Sequence, residues 1–208
     1  MTQENQIKII ILGSSSVGKT CILQKGFENE FNQNALSTIG IDFKTKYFKF
    51  DEEKVKVNYI DTAGQEKFKA ISLNYLKGSD GAVLVFDITK KKTFELIGNW
   101  LDDIRENNKM SIGKILIGNK VDLELDREVT KEEGEQLAEL LECKYFETSA
   151  KSGQNINESL DEIAKITYEQ WKKTNENRNS IRISGASEGK VSIHEKKNCC
   201  GGSSSSSQ

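Results

Sequence analysis

The sequence has no proline and one histidine, His194, among its 208 residues. A lone imidazole offers no histidine-based metal cluster, and its place near the C-terminus supplies no general base to an active site. Proline usually makes up about 5% of a chain, but its absence points to no function. Long apolar runs are also missing: the longest, "IKIIIL", is far too short to cross a bilayer. The N-terminal "MTQENQ" has no basic region leading into an apolar stretch, so no secretory signal is expected. Neither sign of charge dominates. Lysine and arginine number 30 against 32 acidic residues, a formal net charge of −2, and that balance does not point to nucleic acid as a partner.

Cysteines are few. Four of them without a signal sequence suit a reducing compartment, with Cys21 and Cys143 expected as small buried residues. The other two are neighbours, in "KKNCCGGSSSSSQ". A disulfide between Cys199 and Cys200 would be strained, and a zinc site would need two further ligands. Attachment points and plain unmodified thiols both stay open on the residues alone.

What is present is a regular alternation. "IKIIIL", "IDFKTKYFKF", "KVKVNYI", "GAVLVFDIT", "KILIGNK" and "KYFETSA" read as strands, with "DEEK" as a hairpin turn between the second and third. "VGKTCILQKGF", "KTFELIGNWLDDIRENN" and "TKEEGEQLAELLE" have helical spacing, and Ile156, Leu160, Ile163 and Trp171 line one face of a last helix. Strands alternating with helices predict an α/β fold: a mostly parallel six-stranded sheet with helices on both faces and one antiparallel hairpin. From about Thr174 the pattern gives way to Asn, Ser, Gly and isolated charges, which bury too little apolar area to offset ordering entropy. Residues 1–173 are therefore expected to form the domain and 174–208 a disordered tail.

The segment "GSSSVGKT" carries the chemistry. Gly13, Gly18, Lys19 and Thr20 fit G-x-x-x-x-G-K-[ST], after a strand and opening a helix. The glycines let the backbone of Gly13, Ser14, Ser15, Ser16, Val17 and Gly18 curl so that its amides face phosphate oxygens, with Cys21 just inside the helix. The helix N-terminus adds positive potential. Lys19 can reach the β- and γ-phosphates, and the Thr20 hydroxyl can hold Mg²⁺. "DTAGQE" after an apolar strand supplies Asp61 for the magnesium, and "GNKVD" supplies Asn119, Lys120 and Asp122. A carboxylate can accept both N1–H and the exocyclic amine of guanine, whereas adenine would leave it unpaired. "TSAK" adds a loop with Ser149, Ala150 and Lys151.

Together these motifs resemble those of the Ras superfamily of small GTPases, over about residues 5 to 173. The resemblance implies a P-loop GTPase G domain that binds GTP or GDP with Mg²⁺. It implies that Asp122 recognises guanine, that the Ala150 amide meets its O6, that Lys120 covers one face of the base and that Asn119 braces the loops. Phe31 falls where the family sets an aromatic against the base. Thr38, in "STIG", corresponds to the residue that joins Thr20 on Mg²⁺ when γ-phosphate is present, Gly64 to the amide donor to that phosphate, and Gln65 to the residue that orients the attacking water. No arginine lies between Phe27 and Gly40. Intrinsic turnover should then be slow, with a GTPase-activating protein supplying charge worth about 10³–10⁵ in rate. Loss of γ-phosphate would release the Thr38 and Gly64 loops, and partners would read that change.

Within the superfamily, "STIGIDFK", "EKFKAIS", "YLKGSDG" and "LVFDIT" look like Rab segments. The resemblance implies a switch in vesicle trafficking, with an exchange factor, an activating protein, an escort or dissociation-inhibitor-type chaperone and GTP-state effectors as partners. An effector surface is expected around Ile41, Phe43, Ile60 and Tyr75, Ile60 standing where most Rabs carry tryptophan. Rabs usually end near paired cysteines that receive geranylgeranyl groups. Cys199 and Cys200 would anchor the chain to the cytoplasmic face of an intracellular membrane, cycling with the cytosol, because two chains are what stable anchoring takes. Arg178, Arg182, Lys190, Lys196 and Lys197 against Glu176, Glu188 and Glu195 are too small a basic excess to do so alone. Eight residues follow the pair, more than the family normally carries, and they form no C-a-a-X box. Other classes are a nucleotide-bound scaffold with negligible hydrolysis and no anchor, opposed by Gln65, and an ATP-using P-loop protein, opposed by "NKVD" and "TSAK".

Overall fold

A computed structural model describes residues 5–32, 38, 40–64, 69–107 and 112–185, with side chains described as far as Glu176. Gln65, Cys199 and Cys200 lie outside the described residues. In chain order the elements are β1 (Asn5–Leu12), α1 (Lys19–Glu28), β2 (Ile41–Phe50), β3 (Glu53–Thr62), α2 (Lys69–Leu76), β4 (Gly81–Asp87), α3 (Lys91–Glu95), α4 (Ile97–Asn107), β5 (Gly113–Asn119), α5 (Lys131–Leu140), β6 (Lys144–Thr148) and α6 (Ile156–Gly185), with a 3₁₀ segment at Val121–Asp126.

The sheet runs β2-β3-β1-β4-β5-β6, and β2–β3 is its antiparallel pair. The near-continuous apolar runs of β1, β4 and β5 follow from cover on both faces. Ile7, Ile9 and Ile11 pack with α1 and α6, while Ile10 and Leu12 point the other way into the core shared with α2, α4 and α5. Each fully buried aliphatic side chain contributes roughly 1.5–3 kcal/mol. Tyr59, also fully buried, donates its hydroxyl to the Leu160 carbonyl at 2.8 Å and so ties β3 to α6. β1 lies between β3 and β4, so successive crossovers leave it in opposite directions. That divergence opens a crevice at the C-terminal ends of the parallel strands.

Several boundaries differ from the sequence expectation. The hairpin turn is only Asp51–Glu52; Glu53 and Lys54 already pair with Phe50 and Lys49, because Asp51 takes the left-handed conformation (φ 51°) that a tight turn needs. α1 begins at Lys19, two residues late, since Gly18 is left-handed (φ 98°). The long helical pattern expected from Lys92 begins at Lys91 and breaks at Leu96, whose N–H is shared between the Lys92 and Phe94 carbonyls. α5 starts with a reciprocal cap: Thr130 accepts from the Glu133 amide and Glu133 from the Thr130 amide. In α6, Ile156, Leu160 and Ile163 are buried and Trp171 is half-buried. The compact unit closes at Thr174 while helical backbone runs on to Gly185; extending a formed helix costs far less than starting one. Cys21 and Cys143 are half-buried, short of the full burial expected for them. No helix among the described residues is long and apolar enough to cross a membrane.

Candidate functional site

The crevice holds a cleft of about 410 Å³ floored by the β1–α1 loop. Two glycines there have no substitute. A Cβ on Gly13 (φ 148°) would sit 2.2 Å from the Val85 carbonyl oxygen, and one on Gly18 would sit 2.3 Å from Asn119 Nδ2. Ser16 is also left-handed (φ 64°), and alternating backbone hands turn successive amides toward one concavity. Lys19 bends back over the loop, donating to the carbonyls of Gly13 at 2.8 Å and Ser14 at 2.9 Å. Burial lowers its pKa to about 8 against the opposing pull of Asp61. A buried ammonium over inward-turned amides is a site for an anion. Gly64 closes the cradle from β3's exit: a Cβ there would sit 2.4 Å from Lys19 Nζ and 2.5 Å from the Ser14 carbonyl oxygen.

Beside the ammonium three side chains from distant segments meet. The Thr20 hydroxyl donates to Asp61 Oδ2 at 2.6 Å and lies 2.7 Å from the Thr38 hydroxyl, which is 3.4 Å from the same carboxylate oxygen. Asp61 Oδ1 is buried without a hydrogen-bond partner. Burial raises the Asp61 pKa, opposed by the bond from Thr20 and by Lys19. Two hydroxyls and a carboxylate with a free oxygen form the hard donor set that Mg²⁺ takes next to phosphate. The residues fit that ion.

At the far end of the cleft, Asn119 crosslinks three loops. Its Nδ2 donates to the Val17 carbonyl at 2.8 Å, and its Oδ1 accepts from the Thr148 hydroxyl at 3.1 Å and the Ala150 amide at 3.3 Å. That amide thus already has a partner in the cleft wall. Asp122 accepts from the Ser149 hydroxyl at 2.6 Å, with Lys151 Nζ 4.0 Å away. Lys120, left-handed at φ 74°, lies along the cleft with Nζ 2.6 Å from Asp87, a carboxylate with no solvent exposure. Phe31 edges the same space. Ser15, Thr38 and Gly64 line its phosphate end, whereas Ser14, Val17 and Ser149 serve through carbonyls or hydrogen bonds.

The sequence reading did not single out Asp87, Thr148, Asn32, Thr62 or Leu123. Asp87 holds Lys120, Thr148 holds Asn119, and the others line the cleft. An aspartate ending the apolar strand "GAVLVFD" was the available signal for the first, and Thr62 and Thr148 stand inside "DTAGQE" and "TSAK"; nothing local marks Asn32 or Leu123.

Outside the cleft, Phe43 and Tyr75 are 50% and 39% exposed and meet edge to face at 5.6 Å. Ile41 is half-buried and packs against the core cluster that contains Ile60 and Leu76. Ile60 corrects the expectation of a four-residue surface. It is 2% exposed and packs in the core with Ile10 and Leu76, because β3 is an interior strand whose end is covered by α2.

Residues 8–169 match the sequence profile of the Ras family. The chain is 42% identical to Ras-related protein Rab-13 of Mesocricetus auratus, over 78% of this chain and 80% of that protein. It is 40% identical to Ras-related protein Rab-8B of Homo sapiens, over 94% and 93% of the two.

Proposed function

This chain belongs to the Ras family, on its Rab branch, and we propose how its residues hold guanine nucleotide and run the switch. It is a GTP-binding, GTP-hydrolysing switch of the Rab type in vesicle trafficking, a class that works with exchange factors, activating proteins and effectors. The observation that carries the residue-level reading is the meeting of Thr20, Thr38 and Asp61 beside the buried ammonium of Lys19.

In this reading the amides from Gly13 to Gly18 and Lys19 hold the β- and γ-phosphates. Thr20 and Thr38 hold Mg²⁺, with Asp61 behind them. When bound, that ion neutralises charge on the phosphate oxygens. Lys19 carries its proton throughout, since an anion at the cradle raises a pKa that burial alone depresses. Gly64 offers its amide to the γ-phosphate and Gln65 orients the attacking water. Such a reaction asks the protein for position and electrostatic stabilisation rather than covalent chemistry. Thr38 and Gly64 answer to γ-phosphate from different segments, so its departure frees both loops and ends effector binding. Asp122 reads guanine, Lys120 and Phe31 flank the base, and Phe43 and Tyr75 form the aromatic part of the effector surface.

The same reading gives Cys199 and Cys200 geranylgeranyl groups, an escort or dissociation-inhibitor-type chaperone as carrier, and the cytoplasmic face of an intracellular membrane as destination. Intact mass of protein taken from native membranes tests the anchor: two prenyl additions support it and free thiols remove it. Single-turnover hydrolysis tests the chemistry. Gln65→Leu should slow GTP cleavage without weakening GTP binding, and unchanged turnover would contradict the role given to Gln65.

A further inference from the structure

We propose that Arg127 is a positioning residue for guanine selectivity, clamping the segment that bears Asp122 to the strand that delivers Ser149 and Ala150. The inference rests on the reading of Asp122 as the group that recognises guanine.

The need for a clamp is visible in the Asp122 segment itself. No residue of Val121–Asp126 is buried, and Leu123 breaks its 3₁₀ geometry (φ −104°, ψ 44°). Leu125 is fully exposed. A short, kinked segment whose hold on the core is the half-buried Val121 does not fix a carboxylate to within a few tenths of an ångström by its own packing. Yet a reader that accepts two hydrogen bonds from one base edge needs that accuracy.

Arg127 follows the segment directly and reaches across to β6. Its Nη1 donates to Glu147 Oε1 at 2.7 Å and to the Val129 carbonyl at 3.0 Å, and Nη2 lies 3.3 Å from Glu147 Oε2. On the near side, Nε and Nη2 donate to Glu124 at 2.9 and 2.7 Å. Because Arg127 is the residue directly after the Asp122 segment, its grip on Glu147 ties that segment to the neighbouring strand, with Glu124 an added contact on the exposed side. Glu147 is itself held, accepting from the Tyr145 hydroxyl at 3.2 Å, while its carbonyl accepts from Asn155 Nδ2 at 2.7 Å. Thr148 and Ser149 come next in the chain, and bond Asn119 and Asp122.

The two arms of the clamp differ in setting. Arg127 and Glu147 side chains are 15% and 17% exposed, so their bidentate pair is partly shielded from water; Glu124 is 65% exposed. The arm to Glu147 is the one that crosses between loops. The arm to Glu124 is an exposed contact between residues three apart, of the kind that contributes little. Since the phosphates are held by the β1–α1 loop, loosening this clamp acts first on the base, with Asn119 the link through which it could reach that loop.

The test is the release rate of fluorescent ribose-labelled GDP and IDP from the full-length protein with Mg²⁺ present. Inosine keeps N1–H and lacks only the exocyclic amine, so the ratio of the two rates measures the bond from that amine to the Asp122 carboxylate. In the wild type IDP should leave faster. Arg127→Ala and Glu147→Gln should speed GDP release by about tenfold with a much smaller change for IDP, shrinking the ratio. Arg127→Lys should recover part of it, and Glu124→Gln should leave it as in the wild type. Both rates rising by one factor alongside a lower thermal midpoint would overturn the proposal in favour of a purely structural ion pair. So would Glu124→Gln matching Glu147→Gln. A wild type with no preference for GDP would remove the Asp122 reading itself, and this inference with it.

Discussion

Thr20 and Asp61 stand 41 residues apart in the chain, yet the Thr20 hydroxyl donates to Asp61 Oδ2 at 2.6 Å while Oδ1 of the same carboxylate is buried without a partner. α1 and β3 bring them together because β1, which leads into α1, pairs in parallel with β3. With the Thr38 hydroxyl beside them, these groups form a donor set that fits the proposed Mg²⁺.

Removing that cation should therefore matter, and should matter through Asp61. Chelation with EDTA is expected to speed GDP release from the wild type. Asp61→Ala should lower apparent Mg²⁺ affinity by about 10–100-fold, the usual cost of losing a group that orients metal ligands. Release rates across a Mg²⁺ titration read both effects, and a variant with wild-type Mg²⁺ dependence would contradict the assignment.

Lys19 makes nucleotide binding dependent on pH. Burial lowers its pKa to about 8 against the pull of Asp61, and bound phosphates should raise it. Below that value both states carry the proton, so affinity is flat with respect to this group. Above it, binding must take up a proton and affinity falls as pH rises. Calorimetry at pH 8.5 in two buffers of different ionisation enthalpy should show proton uptake, and Lys19→Met should lose it.

Base selectivity should invert at Asp122. Asp122→Asn keeps an oxygen for the Ser149 hydroxyl but presents an N–H₂ where guanine also donates. Xanthine, with a carbonyl in place of the exocyclic amine, should then be preferred, and the combined swing should be on the order of 10⁴. Competition between GDP and XDP measures it; retained preference for GDP would contradict the pocket reading.

Ile60 and Phe43, opposite each other across the β2–β3 ladder, should behave differently. Ile60→Ala opens a cavity in the core and is expected to cost about 2–5 kcal/mol in stability. Phe43→Ala removes a half-exposed ring and should cost much less while weakening effector capture. Denaturant unfolding of the GDP-bound forms separates the two; equal losses would place Phe43 in the core.

The parts of the site legible in the sequence are those in which a short stretch dictates its own geometry. "GSSSVGKT" specifies a curled loop through glycines that no side chain can replace, and the alternation of "IKIIIL"-like runs with helical patterns specifies a covered parallel sheet. Gly18 ending the loop also explains why α1 starts later than its apolar pattern. Ile60 was misread because it shares a face with Phe43 across the ladder, and only the strand order shows that Phe43 sits on the edge strand while Ile60 sits on an interior strand under α2.

By itself, the sequence determined the fold class from its alternating pattern, and the phosphate cradle and the guanine-reading aspartate as a candidate from residues a few positions apart; the cysteine pair became a candidate anchor only through the family resemblance. Only the tertiary structure decided which groups share a hydrogen bond: Thr38 with Thr20, Asp87 with Lys120, Thr148 with Asn119, Arg127 with Glu147. Those pairings depend on strand order and register across the sheet: a displacement of one residue would turn the strand-end side chains of Asp87, Asn119, Glu147 and Thr148 to the other face, away from the partners they meet.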